Sequence, residues 1–112
     1  MSPHTLTVRF ARLAFENRPT VFAADALAWA LTRAGQADEA LAYVELANRL
    51  GTDSVDMHVH AAAAYAAAGL TTEAREALRE AFAGVPYPFP ELRPIAIELA
   101  EELRVAVPRS WS

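Results

Sequence analysis

Gly35-Gln36-Ala37-Asp38-Glu39-Ala40-Leu41 occurs a second time, in altered form, as Gly69-Leu70-Thr71-Thr72-Glu73-Ala74-Arg75. Each stretch is followed six residues later by a further alanine, Ala47 and Ala81. The glycines are 34 residues apart, and so are the Glu-Ala pairs and the later alanines. A fixed period of this size predicts a stacked repeat of helical hairpins. In each copy glycine ends one helix in a left-handed turn. Acidic residues then open the next helix at its positive end.

The surrounding chain agrees. It has 112 residues, of which 26 are alanine. Alanine is the best helix former and lets helices approach closely. No run alternates Val, Ile and Thr as a strand does, so the fold class expected is all-α. Six helices are predicted, over 5–17, 20–34, 37–50, 55–68, 72–83 and 92–105. In the first, Leu6, Phe10, Leu13 and Ala14 share a face by helical spacing. Arg18-Pro19 ends it, because the residue before proline avoids helical angles. Thr5, Thr20 and Thr71 or Thr72 are candidate caps, and Gly51-Thr52-Asp53-Ser54 is a turn with two more. Pro86, Pro88 and Pro90, with Tyr87 and Phe89 between, predict an extended linker before the last helix. The segment 108–112 is expected to be a tail.

These positions resemble the tetratricopeptide repeat family, whose unit is a 34-residue antiparallel helix pair. The units would be 21–54 and 55–88. The turn glycine and both alanines of the pattern are matched in each: Gly35, Ala40 and Ala47, then Gly69, Ala74 and Ala81. Tyr65 matches the aromatic position of the first helix, where the earlier unit has Leu31. Ala24 and His58 stand where the family has tryptophan. Leu27-Ala28 and Ala61-Ala62 stand for its Leu-Gly pair. Pro86 matches the closing proline, which Thr52 lacks. The resemblance implies a single domain over 1–107, a short right-handed stack of antiparallel hairpins. Residues 5–20 would be a half-repeat and 89–107 a C-terminal capping helix. It also implies a concave groove lined by the first helix of each unit, binding a peptide or protein surface. The groove would carry Phe22, Asp25, Trp29, Thr32 and Arg33 from one unit. Asp56, Val59, Ala63 and Ala66 would come from the next. Trp29 is the largest candidate anchor; alternatively it packs against residues 5–17 or the proline-rich linker.

Charge and composition narrow the function classes. Net charge is −4, distributed as +2 over 1–20, −3 over 21–55, −2 over 56–84 and −1 over 85–112. No basic stripe exists for a nucleic-acid backbone, so nucleic acid is not an expected partner. No apolar run approaches the roughly 20 residues of a membrane span, and a signal peptide is not expected from the opening residues. Cysteine is absent, which fits a reducing compartment such as the cytoplasm. All ten basic residues are arginine, which with so much alanine fits GC-rich bacterial coding.

No reaction is expected. Asp38-Glu39 and Glu101-Glu102 are adjacent on helices, so their side chains diverge rather than converge on a substrate. Asp56 and His60 share a helical face but His58 points elsewhere, and two ligands do not make a metal site. No phosphate-binding glycine loop or nucleophile elbow is present, and no cofactor is expected. The proline-rich segment could be a ligand for a proline-reading partner or a linker whose aromatics pack back. The sequence therefore predicts a non-enzymatic interaction scaffold. The alternative is a homo-oligomerisation module using exposed stack ends, with a small-molecule sensor as the third possibility.

Overall fold

The computed structural model describes residues 3–51, 54–84 and 90–111. Those residues form six α-helices and one 3₁₀ turn, and no strand. The helices are α1 (Pro3–Asn17), α2 (Val21–Arg33), α3 (Ala37–Arg49), α4 (Val55–Ala67), α5 (Thr71–Phe82) and α6 (Leu92–Leu103). The turn is Arg109–Trp111. The fold is all-α, and the chain divides into two compact units, Met1–Thr52 and Asp53–Ser112. The division falls beside the predicted repeat boundary. Turn residues Thr52 and Asp53, and the linker residues 85–89 with the closing Pro86, lie outside the described residues.

The 34-residue period is written into the backbone of both units. α2 and α4 each have 13 residues, beginning at Val21 and Val55. α3 begins at Ala37 and α5 at Thr71, again 34 apart. Gly35 and Gly69 both have φ +81°. The Gly35 amide donates to the Thr32 carbonyl at 3.1 Å and the Gln36 amide to the Leu31 carbonyl at 2.8 Å. In the second unit Gly69 donates to Ala66 at 3.1 Å and Leu70 to Tyr65 at 2.8 Å. These are the paired bonds of a Schellman turn, which satisfies the last carbonyls of the first helix. Its tightness lets the second helix begin at once and fold back along the first.

In the first unit α2 packs along α3, and α1 packs on α2. Ala24, Leu27, Ala28 and Leu31 of α2 are buried, as are Ala40, Val44 and Ala47 of α3. Phe15 of α1 meets Tyr43 of α3 edge to face at 5.4 Å. Arg12 and Glu39 add an ion pair at 2.9 Å, partly exposed on both sides. Such a surface pair contributes at most about 1 kcal/mol. The side of α1 turned inward carries Val8, Ala11 and Phe15. The predicted face is the opposite one: Leu6, Phe10, Leu13 and Ala14 are all exposed. Periodicity had found an apolar stripe, but the protein packs through the smaller stripe behind it.

In the second unit α4 packs along α5, and α6 touches both. Ala74, Ala77, Leu78, Ala81 and Phe82 are buried on α5, and Leu92, Ala96, Leu99, Ala100 and Leu103 on α6. His58 Nδ1 of α4 lies 3.2 Å from a carboxylate oxygen of Glu80 of α5, which links the two helices. α6 stops at Leu103, two residues before its predicted end. Arg104 turns left-handed, with φ +57°, and the Val105 amide closes on the Ala100 carbonyl at 2.9 Å. Arg75 of α5 donates its Nε–H to the Leu103 carbonyl at 2.8 Å, a cation placed at the negative end of α6.

The tail predicted from Pro108 onward is corrected as far as Trp111. The Trp111 side chain is fully buried. Its ring lies edge to face on Phe82 at 5.0 Å, and its Nε1–H donates to the Gly84 carbonyl at 2.9 Å. Gly84 lies so close to Val55 that a Cβ there would collide with the valine side chain. Two capping expectations also change. α1 begins at Pro3, so Thr5 lies inside it, and α5 begins at Thr71 with Leu70 as its cap residue. Thr20 caps α2 as expected, its hydroxyl accepting from the Ala23 amide at 3.1 Å.

Candidate functional site

Helix geometry decides which predicted residues come together. Phe22, Asp25, Trp29, Thr32 and Arg33 are spaced so that all five lie on one face of α2. Phe22 is 70% exposed at the start of the helix. Trp29 and Arg33 are one turn apart, and the guanidinium carbon stands 5.5 Å from the indole centroid. That cation–π contact, partly exposed, favours this mutual arrangement by about 0.5–1 kcal/mol. Asp25 and Thr32 are half-buried at the edge of the same face. The Thr32 hydroxyl donates to its own helix, at the Ala28 carbonyl, 2.8 Å away. The face therefore offers aromatic surface and a guanidinium more than hydroxyl donors.

The residues assigned from the second unit divide. Asp56, Ala63 and Ala66 of α4 are half-buried and share a face. Val59 lies on that face too but is 0% exposed, so it is a core residue and does not line a surface. This correction follows from its branched side chain on an alanine-rich helix, where the few larger residues fill the interior. The repeat positions behave as small packing sites. Ala40, Ala74 and Ala81 are 0% exposed and Ala47 is 4% exposed. Gly35 and Gly69 are the left-handed turn residues.

One exposed feature lay outside the predicted site. On α1, Leu6 is 41% exposed, Phe10 68% and Leu13 59%. Arg9, Arg12, Leu13 and Glu16 line an open depression of about 190 Å³ along one flank of this stripe. The sequence signal was present in the helical spacing of the three residues, which marks a shared face without saying what covers it.

Comparison of the chain with models of known protein families, with curated proteins and with solved structures finds no match in any of the three. Among the described residues no helix is long and apolar enough to cross a membrane.

Proposed function

We infer that the chain is a non-enzymatic interaction scaffold of the tetratricopeptide type, working in a bacterial cytoplasm. Its α2 face engages a peptide or protein surface. The observation that carries this reading is the exposed Phe22 on the same face as the Trp29–Arg33 pair. Aromatic residues and arginine dominate interface energies, and side chains already favoured in one arrangement lose less entropy on binding. The residue-level match at Gly35, Ala40, Ala47 and their counterparts 34 residues on supports the repeat assignment. The lack of cysteine supports a reducing compartment, and the arginine-only basic set supports bacterial coding. The ligand expected is a short apolar or aromatic segment with a nearby carboxylate for Arg33.

The test is affinity capture from lysate with the wild-type chain and with Trp29→Ala and Arg33→Ala. Both variants should retain wild-type helicity by circular dichroism and lose the captured partner. Equal capture by both would exclude the α2 face.

A second reading, self-association, is favoured by a different observation, the exposed apolar stripe of α1.

A further inference from the structure

The stripe on α1 has an internal order. Leu6, Phe10 and Leu13 are spaced four and three residues apart, the spacing of a two-stranded helix seam. With these at the seam, the next positions on the same line are Pro3 and Asn17, at the two ends of the helix. One flank of the seam then carries Arg9 and Glu16, and the other carries Thr7 and Ala14. The first flank holds one positive and one negative charge, seven residues apart. The second holds only small neutral side chains. The side of α1 opposite the seam carries Val8, Ala11 and Phe15 and faces its own unit. A partner could therefore approach the seam without disturbing that packing.

This pattern is complementary to itself in one orientation. Two α1 helices placed antiparallel, with the two-fold axis between Ala11 and Arg12, put Phe10 of each copy against Leu13 of the other. Leu6 then meets Asn17 of the second copy. In an antiparallel pair like flanks face each other, so Arg9 reaches Glu16 of the second copy, and the contact occurs twice. In a parallel pair Arg9 would face Ala14 and gain nothing. Flanking charges of this kind set partner and orientation in paired helices. We propose that a second copy of this chain covers the α1 stripe, as an isologous antiparallel helix pair with reciprocal Arg9–Glu16 contacts.

In the second unit Trp111 and the apolar face of α6 are buried against their own unit. The pairing of α1 with the α1 of a second copy is isologous, which gives a closed two-fold dimer rather than a filament. The interface is small. Stable interfaces bury at least about 1,000 Å², and two faces of a 15-residue helix lie at the low end of that scale. The dimer is accordingly reversible and concentration-dependent.

The proposal rests on the self-association reading and is independent of the α2 face. The experiment is light scattering with size exclusion, on the full chain, from low micromolar to near-millimolar concentration. The wild type should pass from monomer to dimer across that range. Phe10→Glu, at an exposed position that leaves the fold intact by circular dichroism, should remain monomeric throughout. Arg9→Glu and Glu16→Arg should each weaken the dimer about tenfold or more, since facing like charges are unfavourable. The double variant Arg9→Glu/Glu16→Arg should restore it. A wild type that stays monomeric at every concentration would overturn self-association and the α1 pair together. A dimer unaffected by Phe10→Glu would overturn the α1 pair alone. A dimer lost in Phe10→Glu but indifferent to both charge reversals would overturn the antiparallel register.

Discussion

Left-handed backbone is where single residues have the clearest consequences. Gly35 and Gly69 sit at φ +81°, and a Cβ at either would meet nothing within 4 Å. A substitution there is therefore a test of backbone strain alone. The left-handed conformation costs a non-glycine residue about 1–2 kcal/mol. Alanine recovers about 0.4–1 kcal/mol by restricting the unfolded chain. Gly35→Ala should thus lower stability by about 1 kcal/mol in urea denaturation, from the balance of the two effects. Arg104 is the mirror case, a side chain at φ +57° where the other turns have glycine. By the same balance Arg104→Gly should raise stability by about 0.5–1 kcal/mol. A loss of stability in Arg104→Gly would mean that its side chain contributes more than the strain it imposes.

Elements show where reading the sequence succeeds. Turn chemistry is local, so Gly35, Gly69, Pro19 and the Thr20 cap could be read from their neighbours alone. Thr71 and Thr72 misled because the tight turn leaves only Leu70 between Gly69 and the start of α5. The first helix was legible as an element, but not what its apolar face meets. Leu6, Phe10 and Leu13 mark an amphipathic face, but periodicity does not say whether that face meets its own chain or another molecule. The resemblance placed Val59 in the groove, and only its surroundings show it to be core. Trp111 was illegible because three residues of 3₁₀ turn have no period, and its partners Phe82 and Gly84 are 27 or more residues away. Its burial carries a prediction about the second unit. Trp111→Ala removes the ring from Phe82 and leaves the Gly84 carbonyl without its indole donor. Loss of a buried tryptophan costs about 3–5 kcal/mol. Chemical denaturation should show a loss of that size, while Trp111→Phe should keep most of the ring packing and lose roughly 1 kcal/mol with the hydrogen bond. A wild-type midpoint for Trp111→Ala would mean that the C-terminal turn adds nothing to the unit.

Across the whole molecule the two units share a local plan and differ in what they leave open. Both have a 13-residue helix, a glycine turn and a returning helix at matching positions. The second unit buries apolar surface under α6 and Trp111 and exposes only Leu70 and Val107 among its described large apolar residues, at 39% and 36%, whereas the first leaves Phe10 and Phe22 about 70% exposed on α1 and α2. The proposed scaffold, binding through its first unit, would account for that difference. Trp29 and Trp111 are the only tryptophans, so Trp111→Phe leaves Trp29 as the sole indole reporter. The most direct measurement is the fluorescence of Trp29 in that background, titrated with the partner recovered by affinity capture. Binding through the α2 face predicts a saturable blue shift as the indole loses water. Saturable binding, followed by anisotropy of a labelled partner, with no change in Trp29 emission would contradict it.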